Sequence, residues 1–270
     1  MSAAHALDQS IQMEQIEPGH FTGPPPKQYW NLVGPYGGIS AAIAVHAAMQ
    51  MQDAIGEPLA ITINFTSPLL DAPYNLIMQN VRTGRTTQHW SFHMDQQKDD
   101  GSTVRVLQGM ITMGVRRDVW AKQTLQAPVP DRSPEDSHKR SERHGIEWFN
   151  RYELRFTNNP MKSENPSEPT MTWVRDYPER TLDYPALAAI CDSFFPAIFA
   201  ERQSTMPIAT VTMNTYFHTS AQEMASIGSQ YLLASSRSHV YHDGFFDAEG
   251  KMWAGDRLIA TSQQVMWYRE

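Results

Sequence analysis

Gly34-Pro35-Tyr36-Gly37-Gly38-Ile39-Ser40-Ala41-Ala42-Ile43-Ala44-Val45-His46-Ala47-Ala48-Met49-Gln50-Met51 reads as a helix without a solvent face. Pro35 and the glycine pair punctuate its start, and from Ile39 onward only Ser40, His46 and Gln50 are polar. A helix that is apolar on every side has to be enclosed. The runs 61–65, 76–82, 87–94 and 104–113 are short, rich in β-branched or aromatic residues and separated by turn signals, as strands are. One sheet curling around the helix is the expected arrangement. A second helix-like run, 185–200, is again followed by strand-like runs, so the chain reads as one unit used twice.

Composition supports a folded chain with room for two such units. The 270 residues are 41% hydrophobic and 19% charged, a globular balance. A net charge of -7 with no compensating basic stripe argues against a nucleic-acid surface, which needs clustered Lys and Arg. The single cysteine, Cys191, excludes an internal disulfide framework and sits among apolar neighbours, where a buried inert thiol is the commoner reading. The N-terminal residues lack the basic and apolar regions of a secretion signal, and no run reaches membrane-spanning length without polar interruption. A soluble cytoplasmic protein with no membrane partner is expected.

Taken in order, residues 1–19 carry little pattern, and Pro24, Pro25 and Pro26 limit 21–30 to an edge strand or loop. Gly56, Glu57 and Pro58 stop the first helix. Ile61, Ile63 and Phe65 alternate with Thr62, Asn64 and Thr66, the period of a half-buried strand, and Thr83-Gly84-Arg85 turns a hairpin between the next two runs. From 118 to 146 prolines and mixed charges suggest a linker with a mobile middle. The expected division is 1–117 for the first unit, 118–146 for the linker and 147–270 for the second unit. In the second unit Pro185 suits the first turn of a helix, and 210–216, 231–242, 244–246 and 258–268 supply strands.

Tyr36-Gly37-Gly38 before the first helix, Asn64-Phe65-Thr66-Ser67-Pro68 on the next strand, Arg82-Thr83-Gly84-Arg85 at the hairpin and Leu258-Ile259-Ala260-Thr261-Ser262-Gln263-Gln264 near the end form an ordered series. In that order, and from about residue 20 onward, the chain resembles the acyl-CoA thioesterase II family. The resemblance implies an α+β fold, the double hotdog, in which two antiparallel sheets each wrap a helix within one chain. It also implies a thioester hydrolase of lipid metabolism that acts on acyl-CoA and needs no cofactor. Exposed sheet faces and edges make a homo-oligomer the expected state.

Asp192 is the residue hardest to place on bland grounds. Its expected neighbours one helical turn away are Ala188, Ala189, Phe195 and Pro196, and burying a lone charge is costly. Two readings stay open: a structural cap or loop-facing aspartate, or a carboxylate that positions or deprotonates water. The resemblance implies the second. In the family an aspartate on the second helix, a threonine on the following strand and a glutamine on the last strand hold the attacking water, and Asp192, Thr210 and Gln264 stand at the matching positions. A one-residue slip of the last strand would exchange Gln264 with Gln263. Residues 247–256 look longer than the usual tight turn before that strand. Some members of the family carry a histidine on the strand after the first helix; here Ala60, Thr62 and Asn64 occupy that region, so no histidine base is expected from the first unit.

Substrate contacts are expected at Gly37, Gly38 and Ile39, where a helix N-terminus offers amides and a favourable dipole to a developing oxyanion; the glycines could equally serve tight packing. Arg82 and Arg85, with Arg116 and Arg117, could meet the phosphates of coenzyme A or simply decorate turns. No metal is expected: His89 and His93 share helical spacing, but on a strand they would lie roughly 13 Å apart. No Gly-x-Ser-x-Gly elbow and no Gly-rich phosphate loop is present. Two rivals to hydrolysis are an acyl-CoA hydratase or dehydratase on the same fold, and a catalytically silent acyl-CoA or lipid binding module. The first needs an Asp and a His close together on one motif, and Asn158-Asn159-Pro160 has neither.

Overall fold

A computed structural model describes residues 4–139 and 144–270. The chain begins with a short helix, α1 (Ala6–Ser10), and an edge ribbon of β1 (Glu14–Glu17) and β2 (His20–Gly23), then a 3-10 turn at Lys27–Tyr29. The enclosed helix follows as α2 (Gly37–Gln50), and the expected strands are β3 (Glu57–Phe65), β4 (Tyr74–Thr83), β5 (Thr87–Gln97) and β6 (Thr103–Gly114). The later residues supply β7 (His138–Lys139), β8 (Tyr152–Phe156), β9 (Thr170–Asp176), α3 (Tyr184–Ile190), α4 (Ala197–Arg202) and β10 (Ile208–Phe217). Helix α5 (Ala221–Ile227) precedes β11 (Leu232–Arg237), β12 (Tyr241–His242), β13 (Phe245–Ala254) and β14 (Arg257–Tyr268).

Among the described residues the strands form one sheet in the order β1-β2-β4-β5-β6-β3-β10-β14-β13-β11-β9-β8-β7, with β12 on β13. Strands before residue 115 fill one half and strands after 137 the other. They meet where β3 pairs antiparallel with β10, Ile63 opposite Met213 and Asn64 opposite Thr212. Bulges in β3, β4 and β6 let the first half curl, because an extra residue on one strand bends it and increases its twist. Ile39, Ile43, Val45 and alanines 41, 42, 44, 47 and 48 of α2 have no exposed surface, as the enclosed-helix reading requires. Helices α2 and α3, both rich in buried alanine, pack on each other, with Gly38 against the Ala189 carbonyl. Glu57 ties the two halves at one end, accepting from Arg116 Nε at 3.0 Å, Tyr184 Oη at 3.0 Å and the Ala221 amide at 3.2 Å.

Three expectations need correction. The run 185–200 is not one helix: α3 stops at Ile190 and α4 starts at Ala197. Helix through this stretch would set the Pro196 ring against the carbonyl of Asp192, and proline also disfavours helical geometry at Phe195. The run 231–242 is not one strand. Asp247 accepts the amides of His239 and Val240 at 2.8 and 2.9 Å, drawing the chain away after Arg237. Residues 247–256 are not a long turn, because β13 continues to Ala254 and only Gly255-Asp256 turns, with Gly255 at positive φ. The outward charges of Asp247, Glu249 and Lys251 hid an alternation whose inner members include Gly250 and Met252. The stretch expected as a linker also adds β7 to the edge of β8. Its residues 140–143, within the part expected to be mobile, lie outside the described residues. No helix among the described residues is long and apolar enough to cross a membrane.

Candidate active site

Asp192 is delivered by the end of α3. Asp183 caps the helix start by accepting the Ala186 amide at 2.9 Å, and Pro185 sits in the first turn, as expected. At the other end the amides of Cys191, Asp192 and Ser193 donate back to Leu187, Ala189 and Ile190 at 3.0, 3.1 and 2.9 Å. The Ser193 hydroxyl also donates to the Ile190 carbonyl, at 2.7 Å. Asp192 therefore stands just beyond the helix, not within it. The segment that follows is pinned by Phe194, whose ring fills the space over Gly250 of β13, where a Cβ would lie 2.2 Å from it.

Released from the helix, the Asp192 carboxylate meets the N-terminus of α2. It accepts a hydrogen bond from the Gly38 amide and one from Gln264 Nε2 at 2.8 Å. The Gln264 carbonyl oxygen in turn accepts from Thr210 Oγ1 at 3.2 Å. A Cβ on Gly37 would come within 2.9 Å of Asp192 Oδ2 and 3.1 Å of the Phe65 ring, so that glycine makes room for the carboxylate. Gln264 is 7% exposed, whereas Gln263 faces outward. The structure thus brings Asp192, Thr210, Gln264, Gly37 and Gly38 together.

Thr210 reaches this group only through a β-bulge. Met213, Thr215 and Phe217 of β10 are buried on the inner face. Strict alternation would put Val211 beside them and turn Thr210 outward. Instead Met213 pairs with Gln264, Thr212 with Val265 and Thr210 with Met266, leaving Val211 as the extra residue. A bulge re-aims the side chain next to it.

Burial pushes the Asp192 carboxyl up to about 7, against the pull of the hydrogen bonds from Gln264 and Gly38. A carboxylate at that value changes protonation state near neutral pH, so it can take a proton from water and return it. The partial positive charge at the N-terminus of a 14-residue helix favours negative charge beside it. Cys191, next in the chain, is fully buried, and burial together with the Asp192 charge raises its thiol far above the ordinary range. It is an inert core residue, as its neighbours suggested.

The other expected residues stand elsewhere. The Ile39 amide donates to the Tyr36 carbonyl at 3.3 Å, within the first turn of α2. Arg82 and Arg85 are exposed at the β4–β5 hairpin and, among the described residues, share no hydrogen bond or ion pair with Asp192, Thr210 or Gln264. Arg116 holds Glu57 and donates to the Phe217 carbonyl at 2.9 Å, so its guanidinium belongs to the joint between the halves. Among the described residues no group of three or more His, Cys, Asp or Glu is arranged to hold a metal ion. Sequence reasoning passed over Tyr36 and Tyr152, whose hydroxyls lie 3.2 Å apart behind the site. The one available signal was the tyrosine directly before the glycine pair.

Two family models match the chain in succession: the acyl-CoA thioesterase N-terminal domain over residues 26–114 and the acyl-CoA thioesterase C-terminal domain over residues 126–268. Among solved structures, a hot dog fold protein of unknown function from Alicyclobacillus acidocaldarius is 32% identical, with a TM-score of 0.91 and 99% of each chain covered. A tesB protein from Mycobacterium avium subs paratuberculosis is 19% identical, with a TM-score of 0.76 and 98% of each chain covered. An acyl-CoA thioesterase II from Mycobacterium marinum is 16% identical, with a TM-score of 0.75, covering 97% of this chain and 98% of its own. The last two likenesses speak for the fold alone. No curated protein matches the chain in sequence.

Proposed function

The chain belongs to the acyl-CoA thioesterase family, with an α+β hotdog fold, and from that premise we propose that it hydrolyses acyl-CoA to a free carboxylic acid and coenzyme A at Asp192. In this reading the ionised Asp192 carboxylate takes a proton from a water molecule whose oxygen attacks the thioester carbonyl. Thr210 and Gln264 orient carboxylate and water, and the N-terminus of α2 faces the negative charge that develops on the carbonyl oxygen. Collapse of the tetrahedral intermediate breaks the carbon–sulfur bond, and the proton held by Asp192 passes to the departing thiolate. Atoms balance with water as the sole co-reactant. The observation that carries the proposal is the hydrogen-bonded series Thr210–Gln264–Asp192–Gly38, a buried carboxylate held at a helix N-terminus.

Free-thiol release from a panel of acyl-CoAs, short to long and including aromatic acyl groups, tests the activity and reads the acyl preference. Gln264→Ala is expected to lower turnover by about 10- to 100-fold, as loss of a positioning contact does, while Gln263→Ala leaves it unchanged. A loss confined to Gln263→Ala would remove Gln264 from the mechanism. We take 1–117 and 147–270 as the two hotdog units and 118–146 as the linker between them, and place the enzyme in the cytoplasm. We also take it to work as a homo-oligomer, with Met110, Tyr216, Val265 and Trp267 exposed on the outer sheet face. Light scattering at micromolar concentration is expected to give a multiple of the 30.7 kDa chain mass; the mass of a single chain would rule assembly out.

A further inference from the structure

Resting on the reading of Asp192 as the water-activating base, we infer that Tyr36, backed by Tyr152, is a positioning residue that locks the Asp192 segment onto the first turn of α2. The hydroxyl of Tyr36 donates to the carbonyl of Ala189. That carbonyl also accepts the backbone amide of Asp192, at 3.1 Å. Tyr36 is in turn the N-cap residue of α2, two positions before the Gly38 amide that donates to the Asp192 carboxylate. A closed circuit results: residues 36–38 hold the aspartate by its carboxylate directly and by its backbone through Ala189.

The surroundings leave the Tyr36 hydroxyl one place to point. Its ring stacks on Trp148 at 4.5 Å with an interplanar angle of 8°, and meets Tyr152 edge-on at 6.2 Å. Because its proton goes to Ala189, the hydroxyl receives one from Tyr152 Oη at 3.2 Å. Gly38 keeps the space open, since a Cβ there would lie 2.3 Å from the Tyr36 hydroxyl and 2.4 Å from the Ala189 carbonyl oxygen. A phenylalanine at 36 would fill the same volume and keep the same stack. A buried hydroxyl has to be satisfied, and this one is satisfied at the carbonyl that also orients Asp192. The titratable groups facing Tyr36 are Asp192 beyond α3, Tyr152 of β8, Tyr29 of the 3-10 turn and Asp176 of β9.

Tyr36→Phe in the full chain is the test. Turnover is expected to fall by about 10- to 100-fold with KM within about twofold, because displacing a reacting group by about 1 Å costs rate and not binding. The acidic limb of the pH–rate profile is expected to move to higher pH, since a loosened carboxylate is held less well by Gln264 and the Gly38 amide. Unchanged turnover and an unmoved limb, with only a lower melting temperature, would reduce the hydroxyl to a cap on α3 and overturn the inference. Tyr152→Phe is expected to act in the same direction with smaller effect, and the double variant to lose no more than Tyr36→Phe alone. Independent, multiplying losses would break the proposed circuit.

A second readout does not depend on hydrolysis. The carboxyl stretch of protonated Asp192, assigned in the infrared by its disappearance in Asp192→Asn, is expected to titrate at higher pH in Tyr36→Phe than in the wild type. If the wild type releases thiol, an unmoved midpoint in Tyr36→Phe defeats the Tyr36 inference and leaves the thioesterase reading intact. Absence of thiol release from the wild type defeats that reading, whatever the midpoint does.

Discussion

Asp192→Asn is expected to lower acyl-CoA turnover by about 10²- to 10⁴-fold, the usual loss when a general base is removed, and to make the folded protein more stable at pH 8. An asparagine keeps the shape and can still accept from Gln264 Nε2, while the proton acceptor is gone. The stability change follows from the direction of the pKa shift. Burial raises the folded-state carboxyl to about 7, above the unfolded value of about 3.9, so between those values the folded state binds the extra proton. The stabilisation is complete below the unfolded value and is lost as pH rises through about 7. The amide variant carries no such loss. It should exceed the wild type by roughly 1–3 kcal/mol at pH 8, after allowing for relaxation around the charge, and lose that advantage toward pH 4. In the wild type kcat/KM should fall below about pH 7 as the base is protonated. Melting curves across pH and thiol release under the same conditions check both arms. Near-normal turnover in Asp192→Asn would remove this residue from the reaction.

Gly38→Ala is expected to cost both stability and activity, against the ordinary preference of a helix for alanine. At an open position in a helix that exchange stabilises by about 0.8–1 kcal/mol. Here the added Cβ would stand 2.3 Å from the Tyr36 hydroxyl and 2.4 Å from the Ala189 carbonyl oxygen. The second of these is backbone and cannot swing aside. Either α2 and α3 separate or Tyr36 gives up its hydrogen bond, and such overpacking costs about 1–3 kcal/mol. For a chain of this size the melting temperature should drop by about 3–10 °C, with turnover falling alongside it because the Gly38 amide donates to Asp192. Gly37→Ala offers the contrast. Its Cβ would meet the ends of side chains, Asp192 Oδ2 and the Phe65 ring, so activity should fall with little change in melting temperature. Equal melting of Gly38→Ala and wild type would show that the two helices are less tightly apposed than their contacts indicate.

Much of this was legible in the chain because the signals are local. Ile39 to Ala48 is apolar in every direction, which demands enclosure wherever the helix sits. The alternation of Ile61, Ile63 and Phe65 declares a half-buried strand with no reference to its partner. Around Gln264 the same period of two separates Gln264 from Gln263, and the structure buries the first and exposes the second. Where the reading went wrong, a local signal was present but outweighed: Pro196 was enough to end α3, yet the apolar run 185–200 masked it, and the charges of β13 disguised a strand as a turn.

From the sequence alone came an enclosed helix made twice, the strand periods, and the oddity of a carboxylate at 192 among apolar neighbours. Only the tertiary structure decided that β3 and β10 join the halves, that Val211 bulges so that Thr210 turns inward, and that Tyr36 reaches Ala189, 153 residues away. The reason is physical. Periodicity and turn chemistry act over a few residues and are written into the chain, whereas the choice of distant partners depends on how whole faces pack, and one bulge is enough to reverse which side a residue presents.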